Sequence, residues 1–150
     1  MKIREFKSEL WLPLAPAELF QFFSDATNLN TLTPPWLHFK VMTPAPIEMK
    51  SGALIDYRMR VHGLPIRWRT RVNLWDPPHR FDDEQIIGPY RRWLHTHTFE
   101  QHDGGTRISD LVSYAVPLDF LTHRMLVRPD IEKIFGYRSH ELRKRFSLRS

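Results

Sequence analysis

Alternation of apolar and polar residues with a period of two runs through most of the chain, and each stretch predicts a strand with one face toward a core. The first runs from Lys2 to Leu12. Six more follow: Leu37–Thr43, Gly52–Gly63, Pro65–Trp75, Arg80–Gly88, Arg91–His102 and Thr106–Pro117. Turn-forming sequences separate the later ones, namely His62-Gly63-Leu64-Pro65, Asp76-Pro77-Pro78-His79, Gly88-Pro89-Tyr90 and Asp103-Gly104-Gly105. Between the first two strands the period changes. Pro16 suits the first turn of a helix whose apolar stripe is Leu19, Phe20, Phe22 and Phe23. A second short helix over Ala26–Leu32 stops at Thr33-Pro34-Pro35. After Arg128-Pro129-Asp130, helical spacing returns at Ile131, Ile134, Phe135, Leu142 and Phe146. Asp130 and Glu132 lie in the first turn of this long helix and Arg143, Lys144 and Arg145 near its end, as the helix dipole favours. A shorter helical piece over Phe120–Val127 precedes it.

A sheet with one apolar face needs a cover, and the C-terminal helix is the only large apolar element available for it. The fold class is therefore α+β: a seven-stranded curved antiparallel sheet, in the order β-α-α-β6-α, wrapped around a long C-terminal helix. Taking the turns at face value fixes the pairing. A Gly63-Leu64 turn sets Met59 opposite Trp68 and Tyr57 opposite Thr70, and the Asp76–His79 loop sets Thr70 opposite Gln85 and Val72 opposite Asp83. A Gly88–Arg92 loop sets Gln85 opposite His95 and Asp83 opposite His97. The Asp103-Gly104 turn sets His97 opposite Asp110, His95 opposite Val112 and Trp93 opposite Tyr114. All four assumptions give the same apolar face, with Ile55, Tyr57, Met59, Trp68, Val72, Phe81, Ile87, Trp93, Phe99, Ile108, Val112 and Tyr114 inward. Arg58, Arg60, Arg67, Arg69 and Arg71 point outward, with Asp56, Asp82 and Glu84 as counter-charges.

Composition narrows the function classes. A length of 150 residues fits one domain spanning 1–150, and 41% hydrophobic with 26% charged residues is the balance of a folded soluble protein. The net charge is +5 and the pI about 9.8, too small a surplus to argue for a nucleic-acid partner. With 0 Cys, disulfides, thiolate metal sites and thiol catalysis are excluded. The first nine residues alternate charge with apolar side chains and lack the apolar core of a signal peptide, and no run reaches the ~18 apolar residues of a membrane helix. A cytoplasmic protein without stable membrane insertion is expected.

The segment from Phe81 to Phe99, FDDEQIIGPYRRWLHTHTF, followed by Gly104-Gly105-Thr106 and by Asp110–Pro117, resembles the START-like (SRPBCC) superfamily of polyketide cyclase/dehydrase-type and birch-pollen-allergen-like proteins. Thr33-Pro34-Pro35-Trp36-Leu37 and Ile134-Phe135-Gly136-Tyr137-Arg138 also fit. The resemblance implies a helix-grip fold holding a hydrophobic or amphipathic small molecule such as a lipid, quinone or polyketide. It implies no particular reaction, and no catalytic residue is carried over from it.

The inner face is not wholly apolar. It carries Asp83, His97 and Asp110 on one rung and Thr70, Gln85 and His95 on the next. Strands lie ~4.8 Å apart, so a histidine between two aspartates reaches both. Three readings stand side by side: a network that only fixes strand register, a polar anchor for an otherwise apolar ligand, and a metal site with His95, His97 and an aspartate. As an anchor, the ligand-binding set is Tyr57, Trp68, Thr70, Asp83, Gln85, Trp93, His95, His97, Asp110 and Tyr114. An enzymatic version has His97 moving a proton with Asp83 or Asp110 orienting it. No metal and no cofactor is assigned. The preferred partner is a hydrophobic small molecule; a protein partner on the arginine-rich outer face is the remaining alternative. Gly136, inside the long helix, calls for a steric reason: packing on the sheet, or room for a ligand.

Overall fold

The computed structural model describes residues 1–146. Seven strands form one antiparallel sheet: β1 Arg4–Leu12, β2 Lys40–Val41, β3 Leu54–Val61, β4 Leu64–Asp76, β5 Arg80–Ile87, β6 Arg92–His102 and β7 Gly105–Ala115. Their spatial order is β1-β7-β6-β5-β4-β3-β2, a meander closed at one edge by the first strand. The helices are α1 Pro16–Phe23, α2 Leu29–Leu32, α3 Asp119–Thr122 and α4 Arg128–Phe146, with a π-helical turn over His123–Val127 joining the last two. The strongly alternating strands fall within two residues of their expected bounds. The second strand does not: a 3₁₀ turn over Pro35–Leu37 ends on its first residue, His38 follows in the left-handed region, and only Lys40–Val41 pair with β3. Pro34 and Pro35 hold φ near the helical value and lack N–H donors for a ladder, which favours that turn.

Two of the four expected registers hold: Thr70 faces Gln85 and Val72 faces Asp83, and His97 faces Asp110, His95 faces Val112 and Trp93 faces Tyr114. The other two are displaced by two residues. His62 and Gly63 form the β3–β4 turn, at φ 51° and 79°, so Leu64 begins the next strand. Both central residues at positive φ are what a tight hairpin turn of matching twist requires. Tyr57 therefore faces Trp68, and Met59 faces Ile66. On β5, Asp83 faces His95 and Phe81 faces His97. A shift of two preserves the face of every side chain, so the inner face is as expected although its cross-strand neighbours differ. Ile87 is the exception: a register shift beside Arg69 pairs it with that outward residue, and it is exposed.

Three apolar clusters lie under the sheet. Near the end where β7 begins, Leu12, Leu19, Phe20, Phe23, Phe81 and Phe99 meet Leu142 and Phe146 of α4. Near the end where β7 stops, Phe6, Val112 and Tyr114 pack on Ile131 and Phe135 of α4. A third cluster around Ile55 and Tyr57 lies at the β3 side. Gly136 serves neither expected purpose. It is exposed on α4, and an added Cβ would meet nothing within 4 Å.

Candidate functional site

Between the two larger apolar clusters runs a belt of polar side chains. His95, His97 and Asp110 come from β6 and β7, Asp83 from β5, and Arg138 from α4; all but Asp83 are buried. The contacts run diagonally across the strands. His97 Nε2 donates to Asp83 Oδ2 at 2.6 Å, and His95 Nε2 donates to Asp110 Oδ1 at 2.7 Å. Arg138 Nη2 donates to His97 Nδ1 at 3.3 Å and lies 3.5 Å from Asp110 Oδ1. One directed chain results, from Arg138 through His97 to Asp83, with Asp110 held by both Arg138 and His95.

The electrostatics follow from burial and from this chain. Burial pushes His97 down, helped by the neighbouring His95 and opposed by Asp83, to a pKa of about 4. Its ring is neutral at neutral pH, with the proton on Nε2 facing Asp83. Burial works to raise Asp110, but the Arg138 charge and the two histidines outweigh it and hold the carboxyl well below the usual range. Asp83 is likewise depressed, burial being overcome chiefly by the His97 hydrogen bond. Two carboxylates thus face one guanidinium. Aromatic rings wall the belt in: Phe81 stacks on His97 at 4.0 Å, His95 lies on His97 at 3.6 Å, and Phe135 meets His95 edge-on at 5.4 Å.

Two atoms of the belt remain available. The Nε of Arg138 is buried without a hydrogen-bond partner. The Asp83 side chain is 20% exposed, so it is the point where the belt reaches the outside. Around it the inner face is half-exposed and aromatic: Trp68 meets Trp93 at 5.5 Å and Tyr90 at 5.7 Å, with Met59 and Ile66 alongside. A surface hollow of about 340 Å³, lined by Glu9, Trp11, His102 and Arg143 among others, lies over the opposite end, away from the belt.

The expected site residues divide. Asp83, His95, His97 and Asp110 come together, and Trp68 and Trp93 form the adjoining wall. Thr70 is buried and accepts a 3.3 Å hydrogen bond from Trp68 Nε1. Tyr57 is buried against Phe39 in the third cluster. Gln85 uses its amide to hold the β5–β6 loop, donating to the Tyr90 carbonyl and accepting from the Tyr90 N–H. Tyr114 is fully buried and its hydroxyl meets His123 Nε2 at 2.7 Å. Arg138 is the member that sequence reasoning missed. Its signal was a gap: Ile131, Phe135, Leu142 and Phe146 form a stripe in which the missing turn falls on Arg138, which therefore faces inward.

The geometry speaks against a metal. Ligand atoms of Asp83, His95 and His97 lie within 4.8 Å of one another. The Arg138 guanidinium, however, stands beside Nδ1 of His97 and 3.5 Å from Asp110, where its charge repels a cation. On the outer face, Arg69 is held by Asp56 and Arg71 by Glu84, leaving Arg58, Arg60 and Arg67 exposed.

Comparison with known proteins adds the lineage. The family described as polyketide cyclase / dehydrase and lipid transport matches residues 12–143. No curated protein matches the chain. Among solved structures, protein Ms6760 from Mycobacterium smegmatis is similar at 16% identity, covering 95% of this chain and 94% of that one with a TM-score of 0.69. Protein CV1439 from Chromobacterium violaceum is similar at 15% identity, 95% and 97% coverage and a TM-score of 0.73. A ginseng major latex-like protein from Panax ginseng shares the fold at only 6% identity, with 96% and 97% coverage and a TM-score of 0.72. The seven-stranded sheet gripping a C-terminal helix is the helix-grip fold, and with the match over residues 12–143 the chain belongs to the polyketide cyclase / dehydrase and lipid transport family.

Proposed function

We propose that the protein binds a hydrophobic or amphipathic small molecule between the sheet and α4, its apolar body against Trp68 and Trp93 and its polar head at Asp83 and the belt behind it. The observation that carries this reading is the exposure of Asp83, the most exposed side chain of an otherwise buried polar belt among the described residues, on the same inner face as a half-exposed aromatic wall. Pockets for such molecules combine apolar walls with a few convergent polar groups. Membership of a family described by lipid transport supports the same class of ligand. The belt asks for a head group with both hydrogen-bonding senses. A hydroxyl hydrogen suits the Asp83 carboxylate, and an oxygen acceptor suits the unpartnered Nε of Arg138.

The test uses the neutral dye N-phenyl-1-naphthylamine, followed by fluorescence. Saturable binding is expected, weakened about tenfold in Trp93→Ala, since uncovering most of an aromatic side chain is worth about that factor. Displacement by 1-decanol is expected to weaken in Asp83→Asn while dye affinity stays the same. Dye binding that does not saturate, or that Trp93→Ala leaves unchanged, contradicts the proposal.

One observation favours proton transfer as a second reading and moves its centre. Both ring nitrogens of His97 are engaged, whereas Nδ1 of His95 makes no hydrogen bond to a described residue. His95 is then the general base or acid, oriented by Asp110. Turnover that is lost in His95→Gln while dye binding is retained would establish it; equal turnover in the variant would exclude it.

A further inference from the structure

Apolar exposure on this molecule is concentrated at one end. Ten of the fifteen large apolar side chains exposed among the described residues lie at the end of the sheet where β3, β5 and β7 stop and β4 and β6 start. Five belong to the short segment between β7 and α4: Leu118, Phe120, Leu121, Met125 and Leu126, with Phe120 83% and Met125 79% exposed. The β3–β4 turn adds Leu64, and the β5–β6 loop adds Ile86. Scattered exposed apolar residues are ordinary on a soluble protein, but a contiguous group marks an interaction surface.

The segment is held in this posture by polar ties on its inner side. Arg4 donates twice to Asp119, at 2.9 and 2.8 Å. The Tyr114 hydroxyl meets His123 at 2.7 Å, and the Thr122 hydroxyl donates to the Pro117 and Leu118 carbonyls at 3.1 Å. His62 ties the β3–β4 turn to Asp130 on α4 at 2.8 Å. Asp119, Thr122 and His123 face in and the segment's apolar side chains face out with Arg124, the reverse of an ordinary surface turn.

Charge selects the occupant. Of the acidic groups at this end, Asp119, Asp130 and Glu132 are taken by Arg4, His62 and Arg128, and exposed Glu5 is the one acidic group without an ion pair among the described residues, against four such cations. Lys2, Arg60, Arg91 and Arg124 are exposed there and make no ion pair among the described residues. Protruding apolar side chains ringed by unpaired cations are complementary to an anionic lipid surface, whose headgroups meet the cations while its acyl boundary takes the apolar tips. We infer that the Leu118–Leu126 segment, with the β3–β4 turn and the β5–β6 loop, docks on an anionic membrane surface. The half-exposed Trp68–Trp93 wall opens at the same end, so docking would present it to the bilayer; the docking itself does not depend on which molecule that wall takes.

The experiment is flotation of the full chain with vesicles of phosphatidylcholine, with and without phosphatidylglycerol. Binding to the phosphatidylglycerol vesicles is expected, falling tenfold or more in Phe120→Asp/Met125→Asp, whose sites are too exposed to matter for folding. Arg124→Gln is expected to lose about fivefold on these vesicles, the worth of one basic residue at such a surface, and nothing on phosphatidylcholine alone. No flotation with either vesicle overturns the inference, as does flotation that the double variant leaves undiminished. A dimer in lipid-free solution that the same double variant dissolves would also overturn it, assigning the surface to a second copy of the chain.

Discussion

The two ends of the sheet are built from the same strands, and they are finished in opposite ways. Where β1 stops and β7 begins, α1 and the last turns of α4 close over the inner face. Phe20 stands edge-on to Trp75, Phe99 and Phe81 at 4.9, 5.1 and 5.8 Å, and the buried Thr106 hydroxyl donates to the Leu14 carbonyl. At the other end Trp68, Tyr90 and Trp93 touch one another but stay half-exposed, and the segment after β7 turns its apolar residues outward. Both ends have apolar residues in abundance, and α4 crosses both; at the first, α1 joins it and seals the inner face, whereas at the second the start of α4 covers Phe6, Val112 and Tyr114 but leaves Trp68, Tyr90 and Trp93 half-exposed. The polar belt lies between the two, sealed on the Phe81 side and open at Asp83. Both ends hold a buried core, and access lies at the second.

The largest expected effect comes from breaking the closed end. Phe20→Ala should cost about 3–5 kcal/mol, as for other large buried aromatic side chains, whereas Trp93→Ala, half-exposed already, should cost about 1–2 kcal/mol. Urea unfolding of both variants checks this, and equal costs would erase the distinction between the ends. Next is Arg138→Met, which strands Asp110 in the interior and should cost about 3 kcal/mol or more. Adding Asp110→Leu should restore much of that loss, because an apolar pair needs no desolvation of charge. If the belt anchors a ligand, the restored double variant is stable but loses its discrimination between decanol and decane.

Acid sharpens the comparison further. The folded His97 has its pKa lowered from 6.5 to about 4, so on acidification the unfolded chain takes up this proton first. Stability should fall as the pH drops from about 6.5 to about 4, before ordinary carboxylates titrate. The depressed Asp83 and Asp110 add a second loss below their ordinary value of 3.8. Thermal melts across this range are expected to show the first decline in the native chain and a smaller one in His97→Asn, where the likewise depressed His123 still contributes. The smallest effect is at Gly136, where the added methyl meets nothing: Gly136→Ala should raise stability by about 0.5–1 kcal/mol without touching either end.

What the sequence disclosed and what it concealed divide along a physical line. Alternation in β3 to β7 sorted inward from outward residues even where the loops were misjudged, because a register error of two leaves the face unchanged. It placed Asp83, His95, His97 and Asp110 on one surface. It also gave the reach of His97 to two aspartates, Asp83 at 2.6 Å and Asp110 at 3.4 Å, but not the diagonal bond of His95 to Asp110, since His95 faces Val112 across the strands. Arg138 was concealed because a basic residue on a helix reads as solvent-facing, and only its place in the Ile131–Phe135–Leu142 stripe argues otherwise. The outward posture of Phe120 and Met125 was equally hidden, as the spacing gave only a short helical piece over Phe120–Val127 and no face for its side chains. It is set by long-range ties, Arg4 to Asp119 and Tyr114 to His123, that no local pattern announces.

The central claim, that the open end admits an apolar ligand and the closed end does not, is tested most directly by titrating the protein with 1-decanol and mapping backbone amide shifts by NMR. Saturable shifts centred on Met59, Trp68, Gln85, Trp93 and His95, with Leu12, Phe20 and Phe99 unmoved, are the expected result. Shifts centred on the closed end, or none that saturate, would contradict the account.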